Sequence, residues 1–465
     1  MSLRMSRNQK LKINIAITSF VVFVIYCVLM ISKNVPISSD KISVEKQYAV
    51  ASQLPTVPHD GETLEALKTS TSNICKEDIV LRNTDPNHTA AHLDFWRHLN
   101  GSTIKVYKRR WQKFIANIRK TPIPIDKLNG RGIVFIAGNR DTVKRTLTTV
   151  KLLRNVYDCK LSIEIWHLHD EQPSADVRLS FEELGATFKD LSNPKLVKPI
   201  IKRRDADKQF QIKAAAIINS AFKEVLYLDS DNIPLKDPTF LFDLPEYKET
   251  GALFWPDYWK THGENKIFDI MDIDCDNEWE QESGQMVIDK EKSWVPLQLA
   301  WYMQKHYEIY FQFLNGDKDT FKYAWKALHS PYHMVEVFPG MAGTETNGRF
   351  CGHTILQYVP FADDAEEDDD LIFVHANLLK ITDKKHFIRP DGSEHPWDLL
   401  KRSSLAHTNT YIKPEFYISN KGQACMDFTH REGEPDAITE DFDQTLTGFQ
   451  TLYFKNGGIG GETRA

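Results

Sequence analysis

Residues 225–232 read Val225-Leu226-Tyr227-Leu228-Asp229-Ser230-Asp231-Asn232, an apolar run of strand length that ends in two carboxylates one residue apart. Upstream, the chain alternates strand and helix patterns. Residues 132–138 (GIVFIAG) form an apolar run closed by glycine, after which Val143, Leu147, Val150 and Leu153 mark one face of a helix. A second strand is expected at 161–168, a helix at 174–184 after Pro173, and a third strand at 186–190 before the turn Asn193-Pro194. Residues 209–222 (QFQIKAAAIINSAF) then read as a helix leading into the strand 225–228. Alternating elements of this kind predict an α/β fold with a mostly parallel sheet flanked by helices. Ligands of such sheets bind beyond the carboxyl ends of the strands, where Asp229 and Asp231 emerge.

Asp-x-Asp by itself carries little information, because the pattern recurs at Asp205/Asp207, Asp272/Asp274, Asp274/Asp276, Asp317/Asp319, Asp368/Asp370 and Asp441/Asp443. Only Asp229/Asp231 directly follows a buried strand. Two hard oxygen donors there suit Mg²⁺ or Mn²⁺, ions that complete their shells with water and phosphate oxygens. An Asx turn into Asn232-Ile233-Pro234 is the plainer reading. A phosphohydrolase nucleophile-and-acid pair is a third, although that pair belongs on a first strand with a threonine soon after.

The 465 residues are 41% hydrophobic and 26% charged, which excludes a disordered, collagenous or multi-span membrane protein. The net charge is −6, and Arg4, Arg7, Lys10 and Lys12 precede residue 13 with no acid among them, so the body is more acidic still. That argues against a nucleic-acid partner. Residues 13–32 are uncharged and, at 1.5 Å per residue, would span about 30 Å as a helix, the thickness of a bilayer core. The run is longer than a signal-peptide core and no Ala-x-Ala site follows. With the cations on its N-terminal side, it predicts a single-pass type II anchor in the lipid bilayer with the remaining chain lumenal. The sequons Asn87-His88-Thr89 and Asn100-Gly101-Ser102 agree with that placement. Beyond Cys27 lie five cysteines, enough for one or two disulfides with at least one thiol unpaired within the chain, and none has zinc spacing. Residues 33 to about 126 read as a stem, within which Phe95, Leu99, Val106, Trp111, Phe114 and Ile118 predict a helix near 91–120 that starts the ordered part.

The stretch LYLDSDN with Pro234, Asp237-Pro238 and Leu241-Phe242 resembles the metal motif of GT-A glycosyltransferases that use nucleotide sugars. GRGIVFIAGNRD, LSIEIWHLHDE, FQIKAAAI, GALFWPDYW and EWEQESGQMVIDK, in that order, resemble the fungal Golgi α-mannosyltransferases that elongate mannan and N-glycan outer chains. The resemblance covers roughly residues 130–380. It implies a Rossmann-like GT-A fold and retaining transfer of mannose from GDP-mannose to a mannose-terminated glycan or glycoprotein in the Golgi, with α-1,2 and α-1,3 linkages both open. The chain then divides into a cytoplasmic tail (1–12), anchor (13–32), stem and leading helix (33–125), catalytic domain (126–390) and a C-terminal extension (391–465) disordered at its end. Residues 397–400 of that extension are a candidate to pack back on the catalytic body. A donor such as UDP-glucose, a non-catalytic sugar-binding relative and a secreted phosphohydrolase are the competing readings.

Site residues follow from both lines. Asp229 and Asp231 are expected to bind metal, with Asp231 also catalytic. Residues 372–375 (IFVH) end in His375, which resembles the late metal-binding histidine of retaining GT-A enzymes. An imidazole beside two carboxylates favours Mn²⁺, with Mg²⁺ the alternative; an ordinary strand-end histidine is the bland reading. Lys380 resembles a pyrophosphate-binding lysine, or is a surface cation. Lys213, among Ala214-Ala215-Ala216, either approaches the donor or snorkels from a core-facing helix. Gly138 and Arg140 close the first strand, where nucleotide base and ribose are expected, and no GxGxxG supports a dinucleotide cofactor. The resemblance puts Glu282, Ser283, Gly284 and Gln285 under the transferred sugar. Glu282 is then a stabiliser of the oxocarbenium-like centre, a transient nucleophile or a partner of donor hydroxyls. Lys202-Arg203-Arg204 reads as a closing loop or a solvated cluster, and the acidic run 363–370 as a solvated loop. Asp317 and Asp319 read as a helix N-terminus on the acceptor side. Trp255, Trp259 and Trp279 are sugar-stacking candidates or core residues.

Overall fold

A computed structural model describes residues 89–201, 211–276, 278–346, 348–360, 371–378, 395–403, 412–419, 424–430 and 437–458. All of these belong to the compact unit Lys68–Ala465. The expected anchor, the expected stem up to residue 88, Lys202-Arg203-Arg204, the acidic run 363–370 and Lys380 lie outside the described residues. Among the described residues no helix is long and apolar enough to cross a membrane.

The first half forms β1 (Arg131–Ile136), β2 (Ser162–His167), β3 (Ala186–Asp190), β4 (Glu224–Leu228), β5 (Asn232–Pro234), β6 (Ala252–Lys260), β7 (Trp279–Asp289) and β8 (His333–Met334). The second adds β9 (Gly340–Thr346), β10 (Arg349–Tyr358), β11 (Leu371–His375), β12 (Leu399–Arg402), β13 (Ile412–Ile418), β14 (Ala424–His430) and β15 (Ile438–Asp441). One sheet runs in the order β3-β2-β1-β4-β7-β6-β8. Its first four strands are parallel, as the alternating pattern predicts. The centre of β4 is fully buried at Val225, Leu226 and Leu228. Each such side chain contributes about 1.5–3 kcal/mol of burial free energy.

Beyond β4 the pattern departs from the expected parallel arrangement. β7 enters antiparallel to β4, and β6 antiparallel to β7. A second sheet of eight strands joins β13-β14-β10-β9-β12-β15 with β11 and β5 at its side. The fold is therefore mixed α/β with a parallel-rich half. The helix expected near 91–120 is two helices, Thr89–His98 and Gly101–Ile118, because Asn100 leaves the helical conformation and its side chain caps Thr103 N–H at 2.8 Å. Both helices are built into the main core: Trp111 and Ile115 are buried, and the indoles of Trp96 and Trp111 donate to the carbonyls of Gln312 and Ile270. The helix expected at 209–222 spans Ile212–Asn219.

The C-terminal extension is part of the body. β12 pairs with β9, β13–β14 attaches to β10, and Trp397 stacks on Phe442 in a cluster with Phe449 and Tyr453. A disulfide joins Cys351 on β10 to Cys425 on β14. Cys275 is also disulfide-bonded, and Cys159 is a buried free thiol.

Candidate metal and donor site

β4 delivers Asp229 to the carboxyl end of the sheet, where its N–H donates to the carbonyl of Gly284 at 2.8 Å and so prolongs the β4–β7 ladder by one step. The chain turns there, with Asn232 N–H donating to the Asp229 carbonyl at 3.0 Å. The next three residues are β5, which pairs antiparallel with β11 in a register that sets Asn232 opposite His375. Ala376 N–H closes the pairing on the Asp231 carbonyl at 2.9 Å. Two strands distant in sequence thus bring His375 against the aspartates, and one ligand atom from each of Asp229, Asp231 and His375 lies within 4.8 Å of the others.

Asp231 and His375 are each only 4% exposed, while Asp229 opens to the surface. His375 Nε2 lies 3.4 Å from Asp231 Oδ1, and Nδ1 lies 3.2 Å from Glu282 Oε2. Neither ring nitrogen makes an aligned hydrogen bond, although both are buried. Buried nitrogens that face carboxylates without bonding them suit a cation placed among the three groups, so the donor set fits a divalent metal. Burial by itself would lower the His375 pKa, but the carboxylates of Glu282 and Asp231 push it up to about 10. Burial likewise opposes ionisation of Glu282, yet His375, Lys213 and the Gly284 N–H together hold it below the ordinary carboxylate value.

Lys213, in the first turn of the helix Ile212–Asn219, is buried with its ammonium on Asp229 Oδ2 at 3.2 Å, Ser283 Oγ at 3.0 Å and the Ser283 carbonyl at 2.9 Å. Asp317 stands 3.4 Å away. Burial opposes this charge, and the facing carboxylates of Asp229, Asp317 and Glu282 raise the pKa above its usual value. The Tyr227 hydroxyl donates to Asp229 Oδ1 at 2.6 Å. Asp229 is held from two sides and keeps a fixed orientation.

β7 passes beneath the aspartates, so Glu282, Ser283 and Gly284 sit at the site. Gly284 is there because nothing larger fits: a Cβ would fall 2.4 Å from His375 Cε1 and 2.9 Å from Glu282 Oε2. Gln285 is fully buried and accepts from the Asn232 amide at 2.5 Å, bracing the turn after Asp231. Gly138 and Arg140 lie past the carboxyl end of β1, the strand beside β4; Gly138 N–H donates to Thr142 Oγ1 and Arg140 is exposed. Asp317 faces Lys213, whereas Asp319 is buried and only 2.8 Å from Lys318. Trp255 and Trp279 are core residues, and Trp259 lines a cavity.

That cavity, of about 260 Å³, opens beside the trio, and Glu282, His375, Asp257 and Lys318 are among the residues that line it. Neither Asp257 nor Lys318 stands out along the chain: Asp257 sits inside an aromatic strand and Lys318 at a helix start.

Fold and site together define an α/β protein with a strand-end Asp-x-Asp and histidine constellation suited to a divalent cation. Residues 130–280 and 274–358 match the family described as "Mannosyltransferase putative". The region 130–358 thus carries the pattern of this mannosyltransferase family. The chain is 28% identical over 360 residues to alpha-1,2-mannosyltransferase MNN21 of Candida albicans, a match covering 65% of this chain and 53% of that protein. Against MNN23 of the same organism it is 26% identical over 297 residues, covering 52% and 48%. The chain thus spans about half the length of the curated relatives it matches. Among solved structures, the mannosyltransferase Ktr4p from S. cerevisiae aligns with a TM-score of 0.30 and 11% identity over 53% of this chain and 84% of that one, a superposition too loose to assign residues.

Proposed function

We propose that the chain is a retaining α-mannosyltransferase that moves mannose from GDP-mannose to a mannose-terminated glycan, forming the α-1,2 linkage named for its relatives. The observation that carries this reading is the convergence of Asp229, Asp231 and His375 inside the region matched to the family. Those three residues would hold Mn²⁺, favoured over Mg²⁺ by the imidazole. Bound there, the cation would neutralise charge developing on a departing diphosphate.

The chain's own groups supply the rest. Lys213, fixed and fully charged, adds positive potential on the diphosphate side. Glu282 is ionised, pinned by Gly284 N–H at 2.9 Å, and stands between the metal site and the cavity. An anion so placed stabilises a sugar centre that becomes positively charged as its leaving group departs, without having to reorganise. Transfer from α-linked GDP-mannose to an α-mannoside is retention, and a leaving diphosphate oxygen can take the acceptor's proton, so no separate base is required. An intact metal trio speaks against a non-catalytic sugar-binding relative. The uncharged run 13–32 supports a type II Golgi anchor with a lumenal enzyme.

The test incubates the purified chain with Mn²⁺ and a panel of nucleotide sugars. GDP release from GDP-mannose alone, stimulated by an α-mannoside, is expected, and Asp231→Ala should remove transfer while the protein stays folded. Full activity of that variant in EDTA would overturn the metal assignment.

A further inference from the structure

The sequon Asn100-Gly101-Ser102 falls at the break between the helices Thr89–His98 and Gly101–Ile118, and that break is held from both sides. Before it, the Trp96 indole donates to the Gln312 carbonyl at 2.6 Å, and Arg97 forks onto the Glu264 carboxylate at 3.1 and 2.7 Å. Beyond it, the Trp111 indole donates to the Ile270 carbonyl at 2.8 Å. Asn100 itself is extended, with φ −75° and ψ 152°, and is exposed. The corner is fixed in place and turned to solvent.

The two ends of its side-chain amide are used differently. Oδ1 accepts the Thr103 N–H at 2.8 Å and the Ser102 hydroxyl at 2.6 Å, which engages both of its lone pairs. Nδ2 donates to none of the described residues. The oxygen alone caps the helix, so a substituent on the nitrogen leaves the cap intact. There is room beside it as well: a Cβ built at Gly101 would meet nothing within 4 Å.

We propose that Asn100 is an N-glycosylation site, carrying an oligosaccharide on Nδ2 while Oδ1 caps the helix Gly101–Ile118. The co-reactant is an oligosaccharide joined to a lipid carrier through a diphosphate. Nδ2 bonds to the anomeric carbon as the bond from that carbon to the diphosphate oxygen breaks; the leaving lipid diphosphate keeps the electron pair, and Nδ2 gives up one proton. Ser102 supplies the hydroxyl that the acceptor pattern requires. The assignment rests on the lumenal placement proposed above and needs no transferase activity of this chain.

Peptide mapping of the full chain expressed in a fungal host tests it. Trypsin cuts after Arg97 and Lys105 and releases residues 98–105 (HLNGSTIK), free of the other sequon at Asn87. Endoglycosidase H, which removes all but the first N-acetylglucosamine, should leave that sugar on Asn100, a mass tag that spontaneous deamidation of the Asn-Gly pair does not mimic. The tag is expected in wild type and in Ser102→Thr, and should be lost in Ser102→Ala, which keeps the capping asparagine. Asn100→Asp removes the tag but keeps a capping oxygen, so it should melt at or above the treated wild type, whereas Asn100→Ala should melt below it. An untagged peptide in wild type, or a tag that persists in Ser102→Ala, overturns the site. A treated wild type that melts as low as Asn100→Ala overturns the coexistence of cap and sugar. Protection of a C-terminal epitope from protease in sealed microsomes reports the lumenal reading separately: an untagged peptide from a protected chain sinks the site alone, and from an unprotected chain sinks both.

Discussion

Replacing Gly284 by alanine adds one methyl group, and the structure fixes what it meets. Gly284 has no left-handed backbone angle, so alanine is conformationally allowed there and the effect is steric alone. The new Cβ would lie 2.4 Å from His375 Cε1 and 2.5 Å from Nδ1. Carbon atoms come no closer than about 3.5 Å at ease, so the imidazole must retreat by about 1 Å. It cannot do so freely, with Glu282 3.2 Å from one nitrogen and Asp231 3.4 Å from the other. Overpacking of this kind costs about 1–3 kcal/mol of stability. The larger consequence concerns the metal. A histidine nitrogen binds at about 2.0–2.1 Å, so a 1 Å displacement removes His375 as a ligand. Disturbing even outer partners of a ligand costs about 10–100-fold in affinity, and this change acts on the ligand itself. Gly284→Ala should therefore weaken Mn²⁺ by at least tenfold in a calorimetric titration, with a folded protein by circular dichroism. Wild-type Mn²⁺ affinity in that variant would show that His375 is not a ligand and that the trio is an accident of packing.

Further consequences can be checked on the same protein. The His375 pKa is raised from 6.5 to about 10, so in EDTA the imidazolium's stabilising contribution is complete below about pH 6.5 and is lost as pH climbs toward 10. Melting temperature should fall across that window and His375→Gln should flatten the trend, while an unchanged profile in wild type refutes the coupling. Over the same range Mn²⁺ must displace that proton, so its affinity should rise by up to about tenfold per pH unit. Lys213→Met removes a cation that leans on Asp229 and Asp317 and repels a neighbouring metal ion. Mn²⁺ should then bind at least tenfold more tightly and GDP more weakly, at a stability cost of about 3–5 kcal/mol for the broken buried pair; unchanged Mn²⁺ affinity would place the metal away from Lys213. Cys351→Ser with Cys425→Ser opens a disulfide that spans 74 residues of sequence and should lower stability by about 2–5 kcal/mol. An unaltered denaturation midpoint would show that the β10–β14 attachment does not depend on it.

How far the fold could be read along the chain depended on the range of the interactions that set each element. β1 to β4 were visible because each is a short apolar run whose partner is the next or a nearby strand, separated by a helix of regular period. The direction of β7 was not visible: a strand buried on both faces carries the same composition whether it pairs parallel or antiparallel. The break at Asn100 was masked by apolar residues that keep helical spacing on both sides, and it took the side-chain cap to reveal it. The second sheet was missed for a different reason. β5 is three residues long, and the pairings of β5 with β11, β12 with β9 and β15, and β14 with β10 join distant stretches of chain, so local periodicity carries almost none of the information that assembles them.

The same division runs through the site. Asp229 and Asp231 could be found because a buried strand announces its own carboxyl end, and His375 because its strand does so as well. What brings the histidine to the aspartates is the β5–β11 register, in which Asn232 faces His375. A slip of one residue would turn the His375 side chain to the opposite face of the sheet and leave two aspartates with no third donor. Gln285 guards against that slip by holding the Asn232 side chain from β7. Lys318 shows the converse. It sits at a helix start, where a lysine is normally solvated, and nothing nearby in sequence hints that carboxylates from β6, β7 and its own helix will enclose it. A residue's chemistry is legible when the element that exposes it is local, and hidden when its partners arrive from three elements at once. On that ground Asp229, Asp231 and His375 could be named before the fold was known, while Asp257 and Lys318 could not.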